Sequence, residues 1–269
     1  GVPDGATVVK IGLGAAVGLG TWKLEGQTAY GAVKTALSQG YRHVDTAQAY
    51  GNERHVGNAI ADSDVDREDV FLTTKVRPDR YEPGDLRASV RDSLEKLDTD
   101  YVDLLLLHWP NPLSDLDATL RAMADLVDDG AVTHVGVSNF SVDKLEKATA
   151  RSPVPIATNQ VQFHPFKPQR ELLRFCQDND VLLTAYSPLA HGAVLDDDLL
   201  WAIGRRYGKT PAQVALRWAT QHHGVAVIPK STSREHLEQN LDIFDFKLDA
   251  DEMERVARPS GLKTAETML

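Results

Sequence analysis

The sequence predicts a single α/β domain over residues 1–269, a (β/α)8 TIM barrel, and three observations carry that expectation. Apolar runs of strand length alternate with amphipathic stretches of helix length. Eight such strand-then-helix units follow one another with no linker or composition break. The strand runs of Val, Leu and Ile are apolar nearly throughout, as parallel strands covered on both faces require.

In order, VGLGTW precedes QTAYGAVKTALSQG, YRHVD precedes NERHVGNAIAD, VFLTTK precedes PGDLRASVRDSLEKL, and YVDLLLLHW precedes LDATLRAMADLVDDG. THVGVSN then leads into SVDKLEKATA, IATNQVQF into PQRELLRFCQDND, VLLTAYS into DDLLWAIGRRYG with TPAQVALRWATQ, and VAVIPKS into REHLEQNL. Apolar residues three and four apart mark the buried helix faces, Leu86, Val90, Leu94 and Leu97 making one such stripe. Gly40, Gly130 and Gly208 follow helical stretches, where a left-handed residue caps the helix. Pro83, Pro168 and Pro211 stand at helix starts, where a missing amide costs nothing. Thr232 and Glu235 have the spacing of a capping box and so mark another helix start. From Asp249 onward the chain reads as one more helix and a short C-terminal tail.

At the front, Gly12, Gly14 and Gly18 in GLGAAVG follow strand-like TVVKI, as in the phosphate loop of a dinucleotide fold with Asp45 as ribose ligand. That pattern needs a helix beginning inside the glycine loop. Gly18, Gly20, Thr21 and Trp22 break such a helix, and Asp45 falls too late, so these glycines are read as an N-terminal hairpin and a tight first strand.

Composition narrows the function. A net charge of -10 argues against binding nucleic acid through a basic face. No apolar stretch approaches the ~20 residues of a membrane span, and the first residues lack the basic segment and apolar core of a signal peptide, so a soluble, cytoplasmic protein is expected. The single cysteine, Cys176, is read as a half-buried helix residue, and no His, Cys and carboxylate cluster has metal-ligand spacing. Asp outnumbers Glu 27 to 12. That bias fits a halophile, a GC-rich genome or a plain solvated acidic surface. A closed barrel leaves no sheet edge that demands a partner, which suits a monomer and leaves a weak dimer open.

The strand ends point to an enzyme. In such a barrel the reactive rim is at the C-terminal ends of the strands, and there the sequence sets Trp22, Asp45, Lys75, His108, Ser138 with Asn139, Gln160, Tyr186 with Ser187, and Lys230 with Ser231; Tyr50 follows Asp45 by five residues. Each alone has a bland explanation, a helix cap, a solvated lysine or a structural histidine. Eight hydrogen-bonding strand ends around one rim do not.

The stretches DTAQAYGNE, TTK, LLLLHWP, GVSNF, NQVQFHP, AYSPLA and IPKS resemble, in order and spacing, the landmarks of the aldo-keto reductases, over nearly the whole chain. The resemblance implies carbonyl reduction by NADPH, with Asp45, Tyr50, Lys75 and His108 as the catalytic tetrad and a non-catalytic NADP-binding or auxiliary role as the alternative. Tyr50 would be the acid, and Lys75 would lower its pKa. Asp45 would hold Lys75, and His108 would orient the carbonyl between the apolar walls Trp22 and Trp109. For the cofactor the resemblance implies Ser138, Asn139 and Gln160 at the carboxamide, Tyr186 against the ring, and Thr21, Trp22, Ser187 and Leu189 along its path. Lys230, Ser231, Thr232 and Arg234 would meet the 2'-phosphate at a helix N-terminus, and Gln239 and Asn240 the adenine. His236 stands where many NADPH-dependent members carry arginine, so NADH is expected to serve as well. Short loops after His108 and Asp249 resemble prokaryotic members such as 2,5-diketo-D-gluconate reductases and imply an open pocket for small aldehydes, α-dicarbonyls or keto sugars. His191 is a further pocket candidate.

Overall fold

The computed structural model describes residues 16–259, so the hairpin expected around Gly12 and Gly14 and the last residues of the tail lie outside the described residues. Within them the chain runs β1 (Leu19–Gly20), α1 (Gly26–Ser38), β2 (His43–Asp45), α2 (Glu53–Ala61), β3 (Phe71–Val76), α3 (Pro83–Leu97), β4 (Val102–Leu107), α4 (Leu116–Asp128), β5 (Val132–Ser138) and α5 (Val142–Arg151). It continues through β6 (Ile156–Gln162), α6 (Arg170–Asp178), β7 (Leu182–Tyr186), α7 (Asp198–Tyr207), α8 (Pro211–Gln221), β8 (Val225–Val227), α9 (Arg234–Leu241) and α10 (Ala250–Val256). The eight strands are parallel and paired in chain order. Backbone hydrogen bonds from Gly18 N to Val227 O (2.8 Å), Val227 N to Ala16 O (2.8 Å) and Gly20 N to Pro229 O (3.2 Å) join the last strand to the first. The sheet is thus the (β/α)8 barrel that the alternation predicts.

Strand alternation sorts the side chains into two cores. Leu105 and Leu107 belong to the large cluster beneath the helices, whereas Leu104 and Leu106 join Phe71 and Leu182 in a separate cluster. Lys75 pairs in register with Leu106, so its side chain shares the interior face. Asp45 is directly opposite Thr73 on one side and Gly20 on the other. The packing thereby brings an acid and an amine to the upper end of the barrel.

Three local expectations are corrected. The helix predicted at Pro168 starts at Arg170, after Gln169 takes a left-handed conformation (φ 44°). The α9 cap is Ser233, whose hydroxyl accepts from His236 N (3.3 Å), rather than Thr232. Cys176 is 1% exposed rather than half-buried, and burial pushes its thiol up to about 12. Among the described residues no helix is long and apolar enough to cross a membrane, and no His, Cys, Asp and Glu are grouped so as to hold a metal ion.

At the β1–β8 seam a Cβ on Gly20 would lie 2.7 Å from the Ile228 carbonyl oxygen, a backbone atom that cannot swing aside. Gly20→Ala is therefore expected to cost about 1–3 kcal/mol of unfolding free energy, measured by urea denaturation. A variant as stable as the parent would contradict so close an approach.

Candidate active site

The upper end of the barrel opens into a cavity of about 790 Å³. Asp45 enters it from the end of β2, His108 from just after β4, Ser138 and Asn139 from the end of β5, Gln160 from β6 and Tyr186 from the end of β7. Tyr50 closes a 3-10 turn over Gln48–Tyr50, and Gly51 next to it adopts φ 66°, a left-handed position that lets the chain turn into α2. Thr21, Trp22, Trp109, Ser187, Leu189 and Lys230 complete the wall. Trp22 and Trp109 are 45% and 49% exposed, so the mouth has an aromatic rim.

Lys75 sits beneath this floor, fully buried. Its ammonium donates to Asp45 Oδ1 (2.5 Å), to the Thr46 carbonyl (3.1 Å) and to the Tyr50 hydroxyl (3.0 Å). The other Asp45 oxygen accepts from Gln160 Nε2 (2.7 Å), and the Asp45 carbonyl accepts from the Thr21 hydroxyl (2.9 Å). The Tyr50 and His108 rings meet edge to face at 5.7 Å.

Electrostatics separate the groups. Burial lowers the Lys75 pKa, but Asp45 and Tyr50 outweigh it and the amine ends above its ordinary value, a protonated ammonium. Burial raises the Tyr50 phenol; Lys75 lowers it, as the sequence suggests, and Asp45 raises it again. Burial wins, so the expectation of a depressed phenol is corrected: the net direction is up. Burial, aided by the Lys75 charge, pulls His108 down to about 4, which leaves a neutral imidazole.

The residues expected to hold a carboxamide are already bonded to one another. Ser138 donates to the Gln160 carbonyl (2.8 Å), Asn139 Nδ2 reaches the His108 carbonyl (3.1 Å) and the Ser138 hydroxyl (3.3 Å), and Asn139 Oδ1 accepts from Tyr186 (2.7 Å). Their spare capacity is in acceptor lone pairs on Asn139 Oδ1 and Gln160 Oε1, which suit the NH2 of an amide, and in the second N–H of Gln160.

The cofactor-tail candidates lie apart from the cavity floor. Lys230 approaches the Trp22 ring at 5.7 Å. Beyond it, Arg234 and His236 are exposed in the first turn of α9 and Asn240 is buried. Thr232 is exposed, and the Ser231 hydroxyl accepts from Ser233 N (3.1 Å). Since Ser231 and Ser233 satisfy two amides of this terminus, fewer are free for an anion than the sequence implies. Gln239 Nε2 reaches Glu235 (3.4 Å), a neighbour on its own helix.

Sequence reasoning missed Asn52. It is fully buried, donates to the Thr21 carbonyl (2.9 Å) and the Leu24 carbonyl (2.9 Å), and accepts from the Thr46 hydroxyl (2.5 Å). It thus ties the loop carrying Trp22 to the residue whose carbonyl holds Lys75. Gln162 and Lys23, also missed, line the cavity, and so does the His191–Gly192 turn, where His191 was a pocket candidate. The only signal for Asn52 was its place two residues after Tyr50.

Residues 10–259 match the aldo/keto reductase family. Methylglyoxal reductase DkgB of Escherichia coli O157:H7 is 40% identical over 245 residues, 90% of this chain and 91% of that protein. Glyoxal reductase of Bacillus subtilis (strain 168) is 42% identical over 240 residues, 89% of this chain and 86% of that protein. A crystal structure provisionally assigned as a 2,5-diketo-D-gluconic acid reductase B is similar at a TM-score of 0.89 and 46% identity, covering 91% of this chain and 89% of its own.

Asn52→Ala would strand the buried Leu24 carbonyl, take the acceptor from the Thr46 hydroxyl and leave the Thr21 carbonyl with only the Leu24 N–H (3.1 Å). The expected loss is about 2–4 kcal/mol of unfolding free energy, read by chemical denaturation. A loss below about 0.5 kcal/mol, the size of an ordinary surface change, would show that Asn52 does not anchor the loop.

Proposed function

The chain belongs to the aldo/keto reductase family, and on that premise we propose that it reduces small aldehydes, α-dicarbonyls and keto sugars to alcohols with NADPH, Tyr50 giving the proton. The observation that carries the reading is the direction of that proton. An ammonium has three N–H donors and no acceptor, and Lys75 has three oxygen partners, one of them Tyr50. The Tyr50 oxygen is therefore an acceptor toward Lys75, and its own O–H is left to point elsewhere. Tyr50 lines the cavity, so the proton is available to a substrate oxygen there.

The chemistry that bound NADPH supplies is a hydride for the carbonyl carbon. What the chain does is manage the charge left on oxygen. Tyr50 passes its proton to the substrate alkoxide, and the Lys75 ammonium stabilises the phenolate that remains. His108, neutral, donates an N–H to the same oxygen without bringing a second positive charge next to Lys75. Asp45 keeps Lys75 protonated and aimed. Trp22 and Trp109 narrow the mouth and limit water.

The donor set fits the cofactor. Spare acceptors on Asn139 and Gln160, with the Ser138 hydroxyl beside them, would hold the carboxamide; the Tyr186 ring would stack on the nicotinamide. Thr21, Ser187 and Leu189 would flank it; Lys230 and Arg234 would neutralise the 2'-phosphate and Ser231 and Thr232 would offer it hydroxyls, with Gln239 and Asn240 toward the adenine. His236 supplies no fixed charge, which favours acceptance of NADH beside NADPH. The α-dicarbonyl class is supported by the names of the methylglyoxal and glyoxal reductases to which the chain is similar. A soluble cytoplasmic monomer completes the reading.

A panel of small aldehydes and dicarbonyls, assayed with both cofactors, tests this directly. Tyr50→Phe should lose about 10²–10⁴-fold in turnover while binding NADPH as tightly as the parent; near-normal turnover would sink the mechanism. In pH terms, a phenol raised above 10 keeps its proton through the neutral range, and His108 charges only near 4. For reduction, kcat/KM should stay flat from about pH 6 to about pH 9 and fall above that, whereas a midpoint near neutrality would contradict the burial of Tyr50. His236→Arg should raise the NADPH-to-NADH preference about tenfold, and an unchanged ratio would remove His236 from cofactor choice.

A further inference from the structure

We propose that Gln162 is a specificity-determining residue whose side-chain NH2 group faces the cavity and binds a second oxygen of the substrate, beyond the carbonyl being reduced. Gln162 ends β6, two residues after Gln160 and on the same face, and it lines the cavity. Its orientation follows from its neighbour His164, which is fully buried.

Phe166 N donates to His164 Nδ1 (3.2 Å), so that nitrogen carries a lone pair. An imidazole always retains at least one N–H, and the proton is then on Nε2. That Nε2 lies 3.1 Å from the terminal amide of Gln162. A donor must face an acceptor, which puts the Gln162 amide oxygen at His164 and turns the NH2 the other way. Two escapes fail. A doubly protonated ring would set Nδ1–H against the Phe166 N–H, and burial holds His164 down to about 4 in any case. A flipped ring would set a carbon against that buried N–H and leave it unsatisfied.

Among the described residues no donor hydrogen-bonds to the outward end of the amide, so none opposes this orientation, and that end borders the cavity. The backbone beneath it is fixed twice: Gln162 pairs in register with Tyr186, and Gln169 Nε2 donates to the Gln162 carbonyl (3.0 Å) from its left-handed conformation. A rigidly held NH2 offers two donors and no acceptor, so it recognises oxygen lone pairs and discriminates against alkyl groups. The Tyr50 proton and His108 serve the reacting carbonyl. The oxygen left for Gln162 is a neighbouring carbonyl or hydroxyl, the feature that separates dicarbonyls and hydroxylated aldehydes from simple alkyl aldehydes.

This inference rests on the cavity being a carbonyl-reducing site, and the test keeps the two apart. The full-length protein and its Gln162→Leu and Gln162→Glu variants are assayed with methylglyoxal and with propanal, which has the same three carbons and no second carbonyl, and the Kd for NADPH is measured by fluorescence quenching. Glutamate keeps an oxygen for His164 but lacks the NH2. Both variants should raise KM for methylglyoxal about tenfold while leaving propanal and NADPH within about twofold. If Gln162→Glu restores the parental KM for methylglyoxal, Gln162 is only the partner of His164. If both substrates suffer equally, it acts on the fold or the cofactor, and the proposal falls. Failure of the parent protein to reduce either substrate would overturn the underlying reading itself.

Discussion

The buried pair between Lys75 and Asp45 is the constraint to which the rest of the upper barrel is fitted. Taking an ammonium and a carboxylate out of water costs several kcal/mol per ion, and here both groups are almost without exposure. Mutual attraction offsets that only if the remaining hydrogen-bonding capacity is met as well. The structure meets it with the Thr46 carbonyl and the Tyr50 hydroxyl for Lys75, and with Gln160 for the second Asp45 oxygen. Removing any one of these leaves a charged group short of a partner in a low-dielectric interior.

The same accounting assigns the proton on Tyr50. Because Lys75 donates a hydrogen to Tyr50, the phenol's own O–H is free to point elsewhere, as the proposed acid role requires. Two opposed effects, burial and the ammonium, act on it, and burial prevails in the resting protein. In the proposed mechanism Lys75 would stabilise the phenolate left when the proton leaves, so its effect would be felt most where charge develops. Asn52 carries the constraint outward, since it joins Thr46 to the loop bearing Trp22. Mouth and floor are thereby joined through one buried side chain.

Much of this was legible in the sequence because strand ends are legible. A polar residue at the end of an apolar run marks the rim of a parallel barrel, and Asp45, Lys75, His108, Ser138, Gln160 and Tyr186 all stand there. Local signals were weaker where two candidates compete. Thr232 and Ser233 are adjacent and chemically alike as caps, and only the turn geometry chooses Ser233. At α6 the left-handed Gln169 delays the helix past Pro168, and its side chain donates to the Gln162 carbonyl, a contact that local sequence does not reveal. Asn52 and the Gln162–His164 contact were invisible for another reason: their roles depend on partners distant in the chain or on a tautomer. The direction of the Tyr50 shift likewise needed burial, a quantity that spacing does not reveal.

The central claim is that the Lys75 ammonium acts on Tyr50 within one buried network. It is tested most directly by following the Tyr50 ring carbon that bears the hydroxyl, by NMR of tyrosine-labelled protein, through a pH titration of the parent and of Lys75→Met. The account predicts that the phenol of the variant titrates at higher pH than that of the parent, since burial remains and the opposing charge is gone. A phenol that titrates at the same or a lower pH in Lys75→Met would contradict it.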